Sequence, residues 1–169
     1  MSKAATSAVP AWCQRLNELL PLYGHRNWIV VADSAYPVQS QPGVETIVTG
    51  GDHLEVVRTV RDAIAASRHV RALVRVDKEL AFIKESDSPG IGAYRRKLNK
   101  LLAGASVTPI LHLELIGQID KASTLFSVLV LKTNLTIPYS SVFFELDCGY
   151  WSAEAEKRIR DAMQAAQSK

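Results

Sequence analysis

"YGHRNWIVVADSAYP", residues 23–37, contains the apolar run Ile29–Ala32 between two stretches of turn-forming residues. A short run that is apolar throughout, without alternation, is typical of a strand whose two faces are both buried. The stretch therefore predicts an inner strand of a layered α/β sheet. His25 precedes this strand and Asp33 closes it, so a polar side chain with useful chemistry stands at each end.

Helical and β-rich segments alternate along the rest of the chain. Helical patterns occur in residues 10–22 and in the segment that follows Asp52, which is a candidate N-cap. Three more occur in "IGAYRRKLNKLLAG", which Gly104 closes, in the short "IGQIDKAS", and in "SAEAEKRIRDAMQAAQ", which Ser152 caps. Further strands are predicted in "VETIVTG", "RALVRV", "VTPILHLEL", "LFSVLVLK" and "SVFFEL". Strands interleaved with helices indicate a layered α/β domain.

Composition is that of a soluble globular protein. The 169 residues are 47% hydrophobic and 22% charged, and 20 basic against 17 acidic residues give a net charge of +3. The basic run Arg95–Lys97 is interpreted as a solvated helix face, so no nucleic-acid partner is expected. No run has the length of a membrane span and no signal peptide is recognised, so we expect a cytoplasmic protein without a membrane partner. Cys13 and Cys148 are expected to be free thiols.

Several common chemistries lack their sequence motifs. The chain contains no phosphate-binding loop, no dinucleotide fingerprint and no nucleophile elbow. The spacing of the histidines is not that of a metal site, so we expect no metal ion. Of these, His53 and His69 are predicted to lie on the surface, and His112, which alternates with apolar neighbours, on a strand face.

His25 and Asp33 are not neighbours by simple proximity. The extended chain from Asn27 to Asp33 covers roughly 20 Å at ~3.3 Å per residue, which places the two side chains at opposite ends of one strand. Ligands of open α/β sheets bind at the carboxyl ends of strands, which favours Asp33 as a ligand contact. Ordinary structural roles stay open for both residues: His25 as a helix C-cap and Asp33 as a turn former.

Two motifs resemble the D-ribose pyranase and L-fucose mutarotase family. The first is the Gly24-His25 turn followed by the apolar strand, Asp33 and Pro37; the second is the Pro-Tyr pair in "TNLTIPYSSVFFEL" before the last strand. The resemblance covers about residues 13–149. It implies one three-layer α/β/α domain with a mixed central sheet across residues 1–169, with residues 1–9 a flexible N-terminus and 151–169 an added C-terminal helix.

The same resemblance implies an isomerase that interconverts ring forms or anomers of a free monosaccharide, such as ribose or fucose, without a cofactor. It implies a catalytic role for His25 and substrate-binding roles for Asp33, Lys121, Tyr139 and Ser141. A histidine that these proteins carry four residues before the lysine is replaced here by Gly117, and an asparagine is replaced by Ser141.

Assembly is part of the implied site. The family builds its site at a subunit boundary, so a homo-oligomer is expected, and this would bring His25 of one copy to Tyr139 of another. Two alternatives remain open at this point. One is a non-catalytic sugar or metabolite binder on the same scaffold, favoured by Gly117 and Ser141. The other is a purely structural oligomer.

Overall fold

The computed structural model describes residues 9–167, which form six strands, five α-helices and two short 3₁₀ turns. The strands are β1 Trp28–Ala32, β2 Val44–Val48, β3 Val70–Asp77, β4 Val107–Ile110, β5 Val128–Lys132 and β6 Val142–Cys148. The helices are α1 Ala11–Leu19, α2 His53–Ala66, α3 Ile91–Leu101, α4 His112–Ser123 and α5 Ala153–Gln167, with 3₁₀ turns at Leu20–Leu22 and Lys78–Phe82.

The six strands form one mixed sheet in the order β2-β5-β1-β6-β3-β4. Strand β1 lies inside the sheet, parallel to β5 and antiparallel to β6, and its Val30 pairs with Val130 on one side and Phe143 on the other. All five residues of β1 are buried. The burial of both faces accounts for the unbroken apolar run in the sequence.

Helices cover both faces of the sheet. Ile29 and Val31 of β1 belong to the core beneath α1, α2 and α3, whereas Val30 and Phe143 pack with Leu115 and related side chains of α4 on the opposite face. Full burial of each such aliphatic side chain contributes roughly 1.5–3 kcal/mol to folding. The predicted three-layer α/β/α fold with a mixed sheet is confirmed.

The strand prediction for "VTPILHLEL" is wrong in its second half. Strand β4 ends at Ile110 and α4 begins at His112, so His112 lies on a helix and not on a strand face. Both carboxylate oxygens of Glu79 accept the backbone N–H of His112 at 3.1 Å, which caps the helix. Because this capping group comes from a distant part of the chain, the local alternation of apolar residues could not reveal it.

The prediction that His53 lies on the surface is also wrong. Its side chain is 2% exposed at the start of α2, and Nδ1 lies 2.9 Å from Oγ1 of Thr133. The predicted N-cap of this helix is confirmed, because the Asp52 carboxylate accepts the Glu55 N–H at 3.1 Å. His69 is half-buried, with Nε2 near backbone carbonyl oxygens.

The basic run Arg95–Lys97 is only partly solvated. Arg96 and Lys97 are exposed as predicted, but the Arg95 guanidinium donates to the carbonyl oxygens of Leu80, Ala81 and Ile83. Arg95 therefore holds the 3₁₀ turn after β3 against α3.

The predicted C-terminal helix is present as α5. The Ser152 hydroxyl accepts the Ala155 N–H at 3.1 Å, as expected for an N-cap, and no side chain within Ala153–Gln167 is buried. Among residues 9–167, no helix is both long and apolar enough to cross a membrane. The expected flexible segment 1–9 lies outside the described residues except for Val9.

Candidate functional site

A cleft of about 310 Å³ opens where β1 ends. Asp33, the residue that follows β1, and Tyr139, from the loop before β6, both face it. Two of the residues predicted from the sequence therefore meet on one chain. The full lining is Asp33, Ala35, Tyr36, Pro37, His112, Pro138 and Tyr139.

Local backbone structure fixes these two side chains. Oδ1 of Asp33 accepts the Ala35 N–H at 2.8 Å, so Asp33 does form a turn as well as facing the cleft. Tyr139 has φ 54°, a left-handed conformation that costs a non-glycine residue on the order of 1–3 kcal/mol. The surrounding loop holds Tyr139 in this conformation, with its side chain on the cleft.

His112 is the cleft residue that the sequence analysis missed. Its Nδ1 lies 3.0 Å from Oδ1 of Asp77, the last residue of β3, and its ring meets the Tyr139 ring edge-on with centroids 5.3 Å apart. An ionised Asp77 carboxylate can only accept a hydrogen bond, and with Asp77 in that state the proton lies on Nδ1 and the lone pair on Nε2. A histidine in that state can take a proton from a bound ligand.

Asp77 is almost entirely enclosed, at 1% exposure. Burial raises the pKa of the Asp77 carboxyl above its usual range, and the hydrogen bond from His112 acts in the opposite direction. The pair thus resembles the carboxylate–histidine arrangements that orient an imidazole for proton transfer.

Two buried polar atoms near the cleft have no hydrogen-bond partner among the described residues: Oη of Tyr36 and Oδ2 of Asp77. Tyr36 is 3% exposed, and burial raises the pKa of its phenol well above the usual value, so the hydroxyl keeps its proton and can donate. An unsatisfied buried polar group costs roughly 1–3 kcal/mol. Tyr36 lines the cleft, whereas Asp77 is connected to it only through His112.

His25 does not reach this cleft within one chain. It is exposed in the turn that precedes β1, at the opposite end of the strand. A different cleft, of about 600 Å³, lies there, and its lining includes His25, Arg26, Arg71, Asp147, Trp151 and Arg160. The structure therefore keeps His25 and Asp33 at the separation expected from strand geometry.

Lys121 and Ser141 also lie outside the cleft lining. Lys121 is exposed near the end of α4, nine residues beyond His112, a distance of ~13 Å at 1.5 Å per residue. Ser141 is 1% exposed just before β6. Gly117 lies in the middle of α4, and the histidine that faces Tyr139 is His112.

Large apolar side chains are exposed close in sequence to the residues of the site. Val38 follows Pro37 of the cleft, and Leu111 and Leu113 stand on either side of His112. Phe82 is the last residue of the 3₁₀ turn that follows Asp77. Exposed apolar groups around a site favour a protein interface there. Among residues 9–167, no group of three or more histidine, cysteine, aspartate or glutamate side chains is arranged to hold a metal ion.

Comparison with known proteins identifies the fold. No family model matches the chain, and a search of curated proteins finds no match. Solved structures do match. RbsD of Bacillus subtilis, in a complex with D-ribose, superposes with a TM-score of 0.57 and 15% identity over 87% of this chain and 98% of its own.

Two further structures have the same fold. The fucose mutarotase of Streptococcus pneumoniae, in complex with L-fucose, gives a TM-score of 0.51 at 16% identity over 87% of this chain and 98% of its own. FucU of Bifidobacterium longum gives 0.53 at 12% identity over 79% and 94%. The chain thus has the fold of RbsD and FucU.

Proposed function

We propose that this protein interconverts the anomers or ring forms of a small monosaccharide, without a cofactor, at the cleft beside β1. One observation carries the proposal. The Asp77–His112 pair brings an imidazole to the same cleft as Asp33 and Tyr139. The fold shared with RbsD and the fucose mutarotase, whose structures contain D-ribose and L-fucose, supports a sugar as the ligand.

The chemistry needs one base and one acid. Ring opening removes the proton of the anomeric hydroxyl, forms the carbonyl at that carbon, and breaks the bond to the ring oxygen, which leaves with the electron pair and takes up a proton. Nε2 of His112 is the base, because its lone pair is free when Nδ1–H donates to Asp77. Positioned proton transfer of this kind contributes roughly 10²–10⁴-fold to a rate. Reclosure on the opposite face of the carbonyl gives the other anomer.

The remaining cleft residues position the sugar. An ionised Asp33 accepts hydrogen bonds from sugar hydroxyls, while the hydroxyls of Tyr139 and Tyr36 donate. A volume of 310 Å³ lies at the lower end of the range of small-molecule sites, roughly 300–1,000 Å³. Such a cleft suits one small monosaccharide, such as ribose or fucose, and no longer saccharide.

The acid comes from a second copy of the chain. His25 is exposed, and ~20 Å of strand separates it from Asp33 of its own chain. The exposed side chains of Leu111 and Leu113, on either side of His112 in the sequence, offer apolar surface for a neighbouring subunit. In a homo-oligomer, His25 of that neighbour protonates the ring oxygen of the sugar bound at this cleft.

A second candidate is a sugar binder without catalysis. Lys121 and Ser141 do not line the cleft, so fewer groups are available to distinguish the transition state from the bound sugar. In a sugar binder of this kind, Asp33, Tyr36 and Tyr139 contact the ligand and His112 transfers no proton.

Saturation-transfer NMR at the anomeric protons of ribose, fucose, galactose and glucose distinguishes the candidates. The wild type and a control, Lys97→Ala on an exposed side chain of α3 outside the cleft lining, should both accelerate exchange for one sugar. His112→Ala should abolish the acceleration. A sugar that shifts signals of the protein without faster exchange favours the binder, and no response to any sugar contradicts both.

A further inference from the structure

A third cleft, of about 410 Å³, lies between α2 and α3 on the sheet face opposite α4. Arg58 and Arg61 enter it from α2, and Lys97 and Lys100 from α3. Its two other lining residues are Leu54 and Leu101. No carboxylate contributes to the lining.

Three of the four cations carry uncompensated charge. Arg58, Lys97 and Lys100 are exposed and form no hydrogen bond or ion pair with the described residues. Arg61 differs, because its Nη1 donates to the Leu101 carbonyl at 2.6 Å and its Nε donates to Asp62 at 2.8 Å. The guanidinium of Arg61 is thereby fixed at the junction of the two helices.

This arrangement differs from an ordinary solvated helix face, where both signs of charge alternate. Lys97 and Lys100 are three residues apart on α3 and repel each other, whereas on α2 Arg61 is paired with Asp62 and Arg58 has no such partner. The chain has 17 acidic residues, yet none of them faces this cleft. A bound anion would relieve the repulsion between Lys97 and Lys100 and would give Arg58 a partner.

We propose that this cleft binds a small organic anion with two or more phosphate groups. The guanidinium of Arg58 can match phosphate oxygens in a two-pronged geometry, and Lys97 and Lys100 add compact positive charge that can follow a second phosphate. Leu54 and Leu101 supply apolar surface for the organic part. This site is independent of the sugar cleft and of the function proposed for it.

Calorimetric titration with inorganic tripolyphosphate tests the proposal. The Arg58→Glu/Lys97→Glu double variant should bind at least ten-fold more weakly than the wild type. The matched control, Lys84→Glu/Arg158→Glu, reverses two exposed cations outside the cleft and changes the net charge equally, and its binding should stay within two-fold of the wild type. Thermal unfolding of all three proteins verifies that they are folded, and Lys97→Gln/Lys100→Gln replaces the first variant if it is not.

Equal weakening in the two charge-reversed variants would contradict the proposal, because it would show attraction to net charge alone. No binding by the wild type at low salt would contradict it as well. Binding of a single-stranded oligonucleotide without binding of tripolyphosphate would replace the small-molecule site by a nucleic-acid surface. Anomeric exchange of the sugars should be the same in every cleft variant, so failure here leaves the sugar proposal untouched.

Discussion

Nδ1 of His112 lies 3.0 Å from Oδ1 of Asp77, across 35 residues of sequence. This contact joins the first residue of α4 to the last residue of β3, and it turns the imidazole toward the cleft that Asp33 and Tyr139 also face. The carboxylate is buried and the imidazole is half-buried, so the orientation of the ring is set by the fold and not by the ligand.

Asp77→Asn should slow anomeric exchange without unfolding the protein. The amide keeps the shape but loses the charge that stabilises a protonated His112, so the rate should fall at least about 10-fold while sugar affinity stays within a few-fold. Because burial raises the pKa of Asp77, its charged form opposes folding at neutral pH, and the variant should be no less stable than the wild type. Exchange rates at several sugar concentrations, with Asp87→Asn as an exposed control, measure this. Loss of rate together with loss of thermal stability would indicate a structural role only.

Tyr94→Phe should lower the stability of the fold, whereas Tyr36→Phe should weaken sugar binding. Tyr94 donates to the Ser140 carbonyl at 2.8 Å, so its loss should destabilise the fold by about 1–2 kcal/mol. The hydroxyl of Tyr36 has no partner among the described residues, so its loss should leave stability unchanged or slightly higher and weaken sugar binding about 5- to 10-fold. Urea unfolding and a sugar titration of both variants provide the comparison. Equal destabilisation by both would show that the Tyr36 hydroxyl is satisfied within the fold.

The free energy of unfolding should fall in mild acid because of the buried His53. Burial lowers its pKa from 6.5 to about 4, so the folded state holds the neutral ring while the unfolded chain binds a proton. The contribution of His53 to stability is therefore complete above pH ~6.5 and is lost as the pH falls toward 4, by up to ~3 kcal/mol at 1.36 kcal/mol per pKa unit. Urea unfolding at pH 7.5 and 4.5 should show a smaller difference for His53→Phe than for the wild type. Identical differences would exclude His53 as the cause.

Two glycine substitutions should change stability in opposite directions. A Cβ at Gly43 would lie 2.5 Å from the Ser123 carbonyl oxygen and 2.9 Å from that of Phe126, so Gly43→Ala should cost roughly 1–3 kcal/mol through forced backbone movement. Gly117 lies inside α4 with no heavy atom within 4 Å of its added Cβ, so Gly117→Ala should add about 0.5–1 kcal/mol of helix stability. Denaturant unfolding midpoints measure both. A stabilised Gly43→Ala would contradict the close packing of that turn against α4.

Local sequence patterns suffice to predict the buried strand, the alternation of strands and helices, and the three-layer class. The run Ile29–Ala32, for example, is apolar throughout, as expected for a strand that is buried on both faces. Asp33 and Tyr139 could be selected as candidates because each stands in a short motif. The Asp77–His112 pair could not, since nothing local tells which distant carboxylate a histidine will meet. The capping of α4 by Glu79 is non-local in the same way. The family resemblance points to Lys121 and to position 117 in α4, whereas the residue of α4 that faces the cleft is its first, His112.

The central claim is that two copies of the chain build the sugar site. Mixing two inactive variants tests this claim most directly. His25→Ala lacks the acid and Asp33→Asn lacks the sugar contact, so each alone should give no acceleration of anomeric exchange. In oligomers reassembled from an equal mixture, about a quarter of the sites should combine an intact Asp33 with an intact His25 from a neighbour. We predict recovery of about a quarter of the wild-type rate. No recovery on mixing, or full activity of His25→Ala alone, would contradict the shared site.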